Sequence, residues 1–348
     1  MKKRIIESKK QALFLIRLVV LTAFILAVFT SCDMRRSDDM PDTEYRSGSE
    51  GIVVRFMDGS PPRKVYEKTP LYIIVEVMNK GAFDNNPNTL GHVTLHGFDS
   101  TAMPFKDGNG NIVKKDLPAV LGKGPFLKEG GYDTITFEID EGQMLVPYGD
   151  SYAPTLMLSA CYYYRTIATP TVCIVSDPSL LVKNKVCEPR TITMKSQGAP
   201  VAVTKVEQEI MYKIVNFVIT IENIGTGTVV KPSSFDDCPL KLNSHDKINI
   251  VKVTPTLRNA QSMGCSPGDE VRLVDGKGTI FCKFALLEGA PYTTPLKIQL
   301  DYAYNTNTQR SIEITKIPGT TYMGDPIVED KLYSSTVKKE ESEENGGE

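Results

Sequence analysis

An alternating apolar pattern that occurs twice restricts the fold of this chain more than any other feature. Leu71, Ile73, Val75 and Val77 lead into Asn79 and Gly81, and Val215, Phe217, Ile219 and Ile221 lead into Asn223 and Gly225, each pair 144 residues apart. Apolar residues at every second position describe a strand with one buried face. The Asn-x-Gly that follows predicts a turn with its glycine at positive φ. A second block recurs at an offset of 140: Leu156, Leu158, Ala160, Tyr162 and Tyr164 align with Leu296, Ile298, Leu300, Tyr302 and Tyr304, then Thr166 with Thr306. Val172 and Ile174 match Ile312 and Ile314 at the same offset, so each copy is expected to close with a hairpin of one design. A third match pairs the stretch Ile135–Ile139 with Ile280–Phe284. A slip of one residue would turn every side chain to the other face, so preserved parity in separate blocks predicts two copies of one β unit. Their lengths suit two β-sandwiches of about seven strands each.

Composition agrees, since 22 prolines, 26 glycines and abundant Val, Ile, Thr and Tyr favour short strands and tight turns. A net charge of −2 with no basic face argues against nucleic acid as a partner. The first 32 residues read as an export signal. Lys2, Lys3, Arg4, Lys9, Lys10 and Arg17 precede an apolar run from Leu18 to Thr30 that ends at Ser31-Cys32. The stretch Phe29-Thr30-Ser31-Cys32 resembles a bacterial-type lipobox, which implies that Cys32 becomes the acylated first residue of a lipoprotein; Phe29 departs from the usual aliphatic. The rival reading is an uncleaved anchor helix extended back to Ala12, with Arg17 snorkelling. Plain secretion is the third reading; in all three the remainder is expected outside the cytoplasm, and in the two favoured ones it is attached to the cell membrane by its N-terminus through a lipid or a helix.

The phrases Val75-Glu76-Val77-Met78-Asn79-Lys80-Gly81 and Ile219-Thr220-Ile221-Glu222-Asn223-Ile224-Gly225 resemble the strand-and-turn pattern of CARDB-type immunoglobulin-like domains, adhesion-related modules of bacterial and archaeal surfaces. The resemblance implies an all-β protein of two tandem immunoglobulin-like β-sandwiches that binds or scaffolds, with no catalytic residues to carry over. The expected organisation is a signal over 1–32, a flexible tether over 33–50, sandwiches over 51–183 and 186–318, and a disordered acidic tail over 319–348. Pro178 to Arg190 is the link between them.

Setting Cys32 aside leaves six cysteines, which in an oxidising compartment predict disulfides. Cys161 and Cys173 lie on the two arms of the expected first closing hairpin, with the parity opposite to the core, and are expected to bridge. For Cys187, Cys238, Cys265 and Cys282 three pairings stay open; Cys187 with Cys238 and Cys265 with Cys282 is the weak favourite. A structural zinc site is the rival, without the C-x₂-C spacing such sites use.

Other chemistry finds little purchase. His92 and His96 fall four apart in a strand, about 13 Å along it, so they cannot chelate one ion, and both read as polar surface positions, as does His245. Asp107-Gly108-Asn109-Gly110-Asn111 opens like a calcium loop, but Ile112 and Pro118 occupy places the ion needs, and a hairpin turn explains it. Gly-x-Ser-x-Gly, P-loop and histidine metal motifs are absent, so no cofactor and no enzymatic activity are expected. Tyr162 and Tyr164 share the core parity, while Tyr163 faces outward beside Cys161. Contact surfaces are expected in Ala82–Thr89, Gly97–Asn111, Gly142–Pro154 and Val230–His245. The expected function is adhesion or protein–protein contact in the envelope. A filament or coat subunit polymerising by strand exchange, and a substrate-binding or wall-directed hydrolase component, are the alternatives.

Overall fold

The computed structural model describes residues 45–85, 91–179 and 186–317. The signal-like segment, Cys32 and the acidic tail lie outside them. The first half contributes β1 (Ile52–Phe56), β2 (Lys64–Tyr66), β3 (Leu71–Asn79), β4 (His92–His96), β5 (Gly108–Asn109), β6 (Ile112–Asp116), β7 (Tyr132–Ile139), β8 (Ser151–Tyr152), β9 (Thr155–Ala168) and β10 (Thr171–Ile174). The second contributes β11 (Ile192–Thr193), β12 (Val201–Met211), β13 (Ile214–Asn223), β14 (Thr228–Val230), β15 (Ile250–Leu257), β16 (Ala260–Ser266), β17 (Glu270–Arg272), β18 (Lys277–Leu286), β19 (Tyr292–Ser311) and β20 (Glu313–Thr315). A 3₁₀ helix at Pro232–Asp237 is the one helix among the described residues.

The all-β expectation holds, and the repeat is structural. β3 pairs with β7 so that Leu71 faces Ile139; β13 pairs with β18 so that Val215 faces Phe284. These are equivalent pairings under offsets of 144 residues for β3 and 145 for β7, and they form the sheets β1-β3-β7 and β11-β12-β13-β18-β16. Both lie over a third sheet ordered β17-β15-β19-β9-β4-β6-β5, to which each half adds three matching strands. His92 on β4 faces Cys161 and Lys252 on β15 faces Asp301, 140 residues further on. Inward residues of all three sheets merge into one core, from Ile52, Ile73 and Phe137 to Phe217, Phe284 and Leu300.

The two copies are joined through that third sheet. All 14 residues of β9 pair with β19, from Thr155 opposite Ser311 to Ala168 opposite Ile298. The register then continues unbroken: β10 pairs with the start of β19, Ile174 opposite Tyr292, and β20 pairs with β8, Ile314 opposite Tyr152. Its midpoint is Tyr163 opposite Ala303, residues that are themselves equivalent under the 140-residue offset. A pseudo-dyad therefore passes between them. This corrects the expectation of two closing hairpins. β10 and β20 leave their own halves and lie against the other copy, because β9 and β19 each satisfy the partner's backbone edge before the chain can fold back.

Four tyrosines ring the dyad. Tyr162 and Tyr164 approach at 5.8 Å between centroids, Tyr302 and Tyr304 at 6.3 Å, and the cross-strand pairs Tyr162–Tyr304 and Tyr164–Tyr302 at 6.0 and 6.3 Å. All four are buried, and tilted aromatic pairs at this spacing add about 0.5–1.5 kcal/mol each beyond their area. The Tyr164 hydroxyl donates to Asn79 Oδ1 (3.3 Å) and accepts from Phe83 N (3.3 Å). The Tyr304 hydroxyl repeats this with Asn223 Oδ1 (3.0 Å) and Gly227 N (2.8 Å).

That contact explains the Asn-x-Gly motif and corrects the turn reading. Neither Gly81 nor Gly225 is among the glycines with positive φ. The glycines are needed because the tyrosine hydroxyls come too close for a side chain: a Cβ would sit 1.8 Å from Tyr164 Oη at Gly81 and 2.5 Å from Tyr304 Oη at Gly225. The Asp275-Gly276 turn does use positive φ, at 50° and 77°. Residues 45–50, assigned to the tether, pack against these turns: Gly48 N donates to Ser196 Oγ at 3.1 Å, a Cβ on Gly81 would sit 2.7 Å from Glu50 O, and one on Gly225 3.0 Å from Ser49 O.

Gly81→Ala is expected to destabilise by about 1–3 kcal/mol, the usual cost of overpacking, in urea unfolding followed by circular dichroism. Adding Tyr164→Phe, which removes the clashing oxygen, is expected to restore part of that loss. An additive loss would show that the hydroxyl is not what excludes a side chain.

Candidate functional site

Odd-numbered residues of β9 and β19 point away from the core, onto the other face of the central sheet. Around the dyad these are Cys161, Tyr163, Arg165, Asp301, Ala303 and Asn305. The segment from Val230 to Leu242 folds over them, making a small second cluster in which Cys161, Val230, Cys238 and Ala303 are buried. Cys161 is bonded to Cys238 across a separation of 77 residues, which pins the segment to the sheet. Tyr163 stacks on Phe235 with centroids 4.3 Å apart. His92 meets the same ring edge-on at 5.1 Å.

His92 is therefore not on the surface, contrary to the sequence reading. It is buried beneath the overlying segment, and its Nε2 lies 2.9 Å from Cys238 O. A carbonyl only accepts, so Nε2 carries the proton. Burial holds the ring's pKa below its ordinary value, with Lys114 adding to the effect and the Cys238 carbonyl opposing it. His96 is half-buried, 3.1 Å from Ser159 Oγ, and is likewise lowered by burial. His245 is exposed, and its carbonyl accepts from Arg272 Nη1 at 2.7 Å.

Beside the stacked rings runs a cleft of about 230 Å³ lined by Phe83, Tyr163, Tyr164, Arg165, Pro232 and Asp301. Arg165 Nε donates to Asp301 Oδ1 at 2.6 Å, Gln299 Nε2 donates to Oδ2 at 2.8 Å, and the guanidinium lies 5.5 Å over the Phe83 ring. The cleft thus has aromatic walls and a charge-paired floor. Nucleophile and base are not paired in this cleft, and its carboxylate is already held by two donors.

Two larger clefts lie where the ribbon ends, related by the dyad. One of about 700 Å³ is lined by Asp58, Pro61, Arg63, Ala153, Arg310 and Glu313. Its counterpart, about 390 Å³, includes Cys173, Cys187, Gln208 and Thr293. Arg310 is a structural strut, its Nη1 donating to Met57 O (2.9 Å) and Ser60 O (2.8 Å).

All six cysteines of the described residues are bridged, but not as the closing hairpins required. Cys173 joins Cys187, so the connection between the halves is tied to β10, and neither Cys161 with Cys173 nor Cys187 with Cys238 forms. The reason is the swapped ribbon, which puts Asn305 opposite Cys161 and Thr293 opposite Cys173. Cys265 joins Cys282 as favoured, directly across β16 and β18 after a bulge.

The Asp107–Asn111 stretch forms the hairpin between β5 and β6. Asp107 pairs with Lys115 at 3.2 Å and Asn111 Oδ1 accepts from Ser100 N at 2.9 Å, so its oxygens do not converge. Among the described residues no group of three His, Cys, Asp or Glu side chains could hold a metal ion. Nor is any described helix long and apolar enough to cross a membrane. Sequence reasoning missed the Arg165–Asp301 pair, which becomes visible only when β9 is set against β19. It also missed the exposed Phe126, which has no counterpart in the repeat.

No family model matches the chain, and no curated protein does. Among solved structures, Escherichia coli alpha-2-macroglobulin activated by porcine elastase is 11% identical with a TM-score of 0.18, over 76% of this chain and 22% of its own. The chain thus spans about a fifth of that protein's length. The C-terminal domain of the Streptococcus agalactiae AgI/II polypeptide BspA is 6% identical with a TM-score of 0.17, over 76% of this chain and 97% of its own.

Replacing Cys161 and Cys238 together by alanine is expected to cost about 4 kcal/mol on the chain-entropy estimate, more than either shorter loop, measurable by urea unfolding. The depressed His92 pKa has a definite sign. Unfolding exposes a ring that takes up a proton below about pH 6.5, so stability is full above that pH and falls as pH drops toward the folded value. His92→Gln is expected to reduce the difference between unfolding curves at about pH 7.5 and about pH 5.5, on either side of the unfolded value, leaving the share that belongs to His96.

Proposed function

We propose that this chain is a non-enzymatic extracytoplasmic lipoprotein that binds or scaffolds envelope proteins, tethered to the membrane through a lipid on Cys32. The observation that carries this reading is the unbroken ribbon through Tyr163 and Ala303, which holds the loops of both halves at fixed positions in one body. Loops on a rigid frame suit recognition. Three disulfides fit an oxidising compartment outside the cytoplasm. The lipobox-like Phe29–Cys32 supports the tether, and the aromatic cleft beside Tyr163 offers a contact site. The phrases that resemble CARDB-type domains point the same way.

One observation favours a second reading, a subunit that assembles by accepting strands. In the second half the equivalents of β1 and β7, strands β12 and β18, are flanked by β11 and β16; in the first half β1 is an edge strand of the three-stranded sheet, while β7 accepts on its outer side from Lys106 N at Glu138 O (2.9 Å). An uncovered edge can accept a strand from another chain.

Intact-mass spectrometry on protein isolated from membranes without reductant is expected to show a mature chain starting at an acylated Cys32, with six thiols blocked as three bridges. Photo-crosslinking from Tyr163 in whole cells is expected to trap a discrete envelope protein. A chain retaining Met1 would reject the lipid, crosslinks to further copies of this chain alone would favour the assembling subunit, and turnover of wall material by the purified protein would reject both readings.

A further inference from the structure

The connection from β6 to β7, Leu117 to Gly131, has no equivalent in the second half. There the link from β17 to β18 is a tight turn closed by Val274 and Lys277. The inserted loop is firmly based. Lys123 N donates to Gly81 O (2.7 Å), Gly131 N to Leu121 O (2.7 Å), and Gly122 N to Asp84 Oδ1 (2.7 Å). Its tip is a closed turn in which Gly124 N donates to Leu127 O (3.0 Å) and Leu127 N to Gly124 O (3.2 Å). Pro125 presets the turn and leaves Phe126 at the apex.

Phe126 is the most exposed large apolar residue described, at 102% of its reference area, and Leu121 and Leu127 beside it are exposed as well. Lys123 and Lys128 flank the apex, with Glu129 the one acid in the loop. A single exposed leucine needs no explanation. Three apolar side chains raised on a braced turn between two cations do, because burying them elsewhere would have been the cheaper fold.

The place where the chain enters the fold supplies the partner. Ala82 N donates to Gly198 O at 2.7 Å, and the Cα of Arg46 lies 3.2 Å from where a Cβ on Gly198 would stand. Arg46 therefore lies against the same turn that braces the loop. Tyr45 follows Cys32 by 13 positions, a reach of at most about 45 Å when extended.

We propose that the Leu121–Lys128 loop is a membrane-contacting finger, Phe126 dipping into the interface of the bilayer to which the N-terminus is anchored while Lys123 and Lys128 meet anionic headgroups. Aromatic rings favour that interface, and lysines beside an anionic surface add to the attraction. The proposal rests on the lipid-anchor reading.

The chain has no tryptophan, so Phe126→Trp gives a single indole emitter in the full-length protein. Tyr148→Trp serves as control, because Tyr148 is exposed and follows the opposite end of β7. Each variant, isolated from membranes, is reconstituted into phosphatidylethanolamine–phosphatidylglycerol vesicles with brominated acyl chains. Most of the indole emission of Phe126→Trp is expected to be lost, with a blue shift, while Tyr148→Trp keeps a solvent-exposed spectrum. Vesicle-bound Phe126→Trp protein that is unquenched, or quenching that is alike in the two variants, overturns the finger and leaves the anchor standing. Recovery of the chain in the soluble fraction on cell lysis overturns the anchor, and the finger with it.

Discussion

The antiparallel pairing of β9 with β19 is the constraint on which the rest of the architecture depends. Its register runs without a slip from Ser151 opposite Thr315 to Ile174 opposite Tyr292. Sheet register is enforced wherever one face is buried, since a shift of one residue would carry Tyr162, Tyr164, Tyr302 and Tyr304 out of the core. Once it is set, β10 and β20 have only the opposite copy to pair with. The two halves then share a sheet and a core where two beads on a string were expected.

The tyrosine ring turns this backbone pairing into a three-dimensional junction. Each half sends one hydroxyl up to the end of its own β3 or β13, where an asparagine Oδ1 accepts from it and a backbone N–H donates to it. Gly81 and Gly225 make room for these contacts. Buried hydroxyls without partners would cost about 1–3 kcal/mol each, so Tyr164 with Asn79 and Gly81, and Tyr304 with Asn223 and Gly225, form matched units.

On the other face, the junction is sealed by covalent and aromatic contacts that the repeat does not duplicate. Cys161–Cys238, the Tyr163–Phe235 stack and buried His92 hold the Val230–Leu242 segment over the dyad. Where the two copies differ, aromatic and apolar side chains collect outside the shared core: Phe235 on this overlying segment in the second half, Phe126 on its exposed loop in the first. The internal symmetry thus separates the frame from the parts free to specialise.

The strands, their inward faces and the equivalence of the copies were legible in the sequence, because side-chain alternation is local and survives in every tandem block. Val75 and Ile219 are buried on matching strands as their parity requires. Tyr162 and Tyr164 could be placed in the core and Tyr163 outside it for the same reason. The partner of each strand was not legible. Periodicity reports which side of a strand is buried and says nothing of which edge meets it, so Cys161 was matched to Cys173, His92 was set on the surface, and Arg165 went unpaired with Asp301. The chain by itself determined an all-β, twice-repeated, cysteine-bridged body. Only the tertiary structure decided that the copies exchange their closing strands across a dyad, because that choice depends on hydrogen-bonding edges brought together from residues 130 to 156 apart.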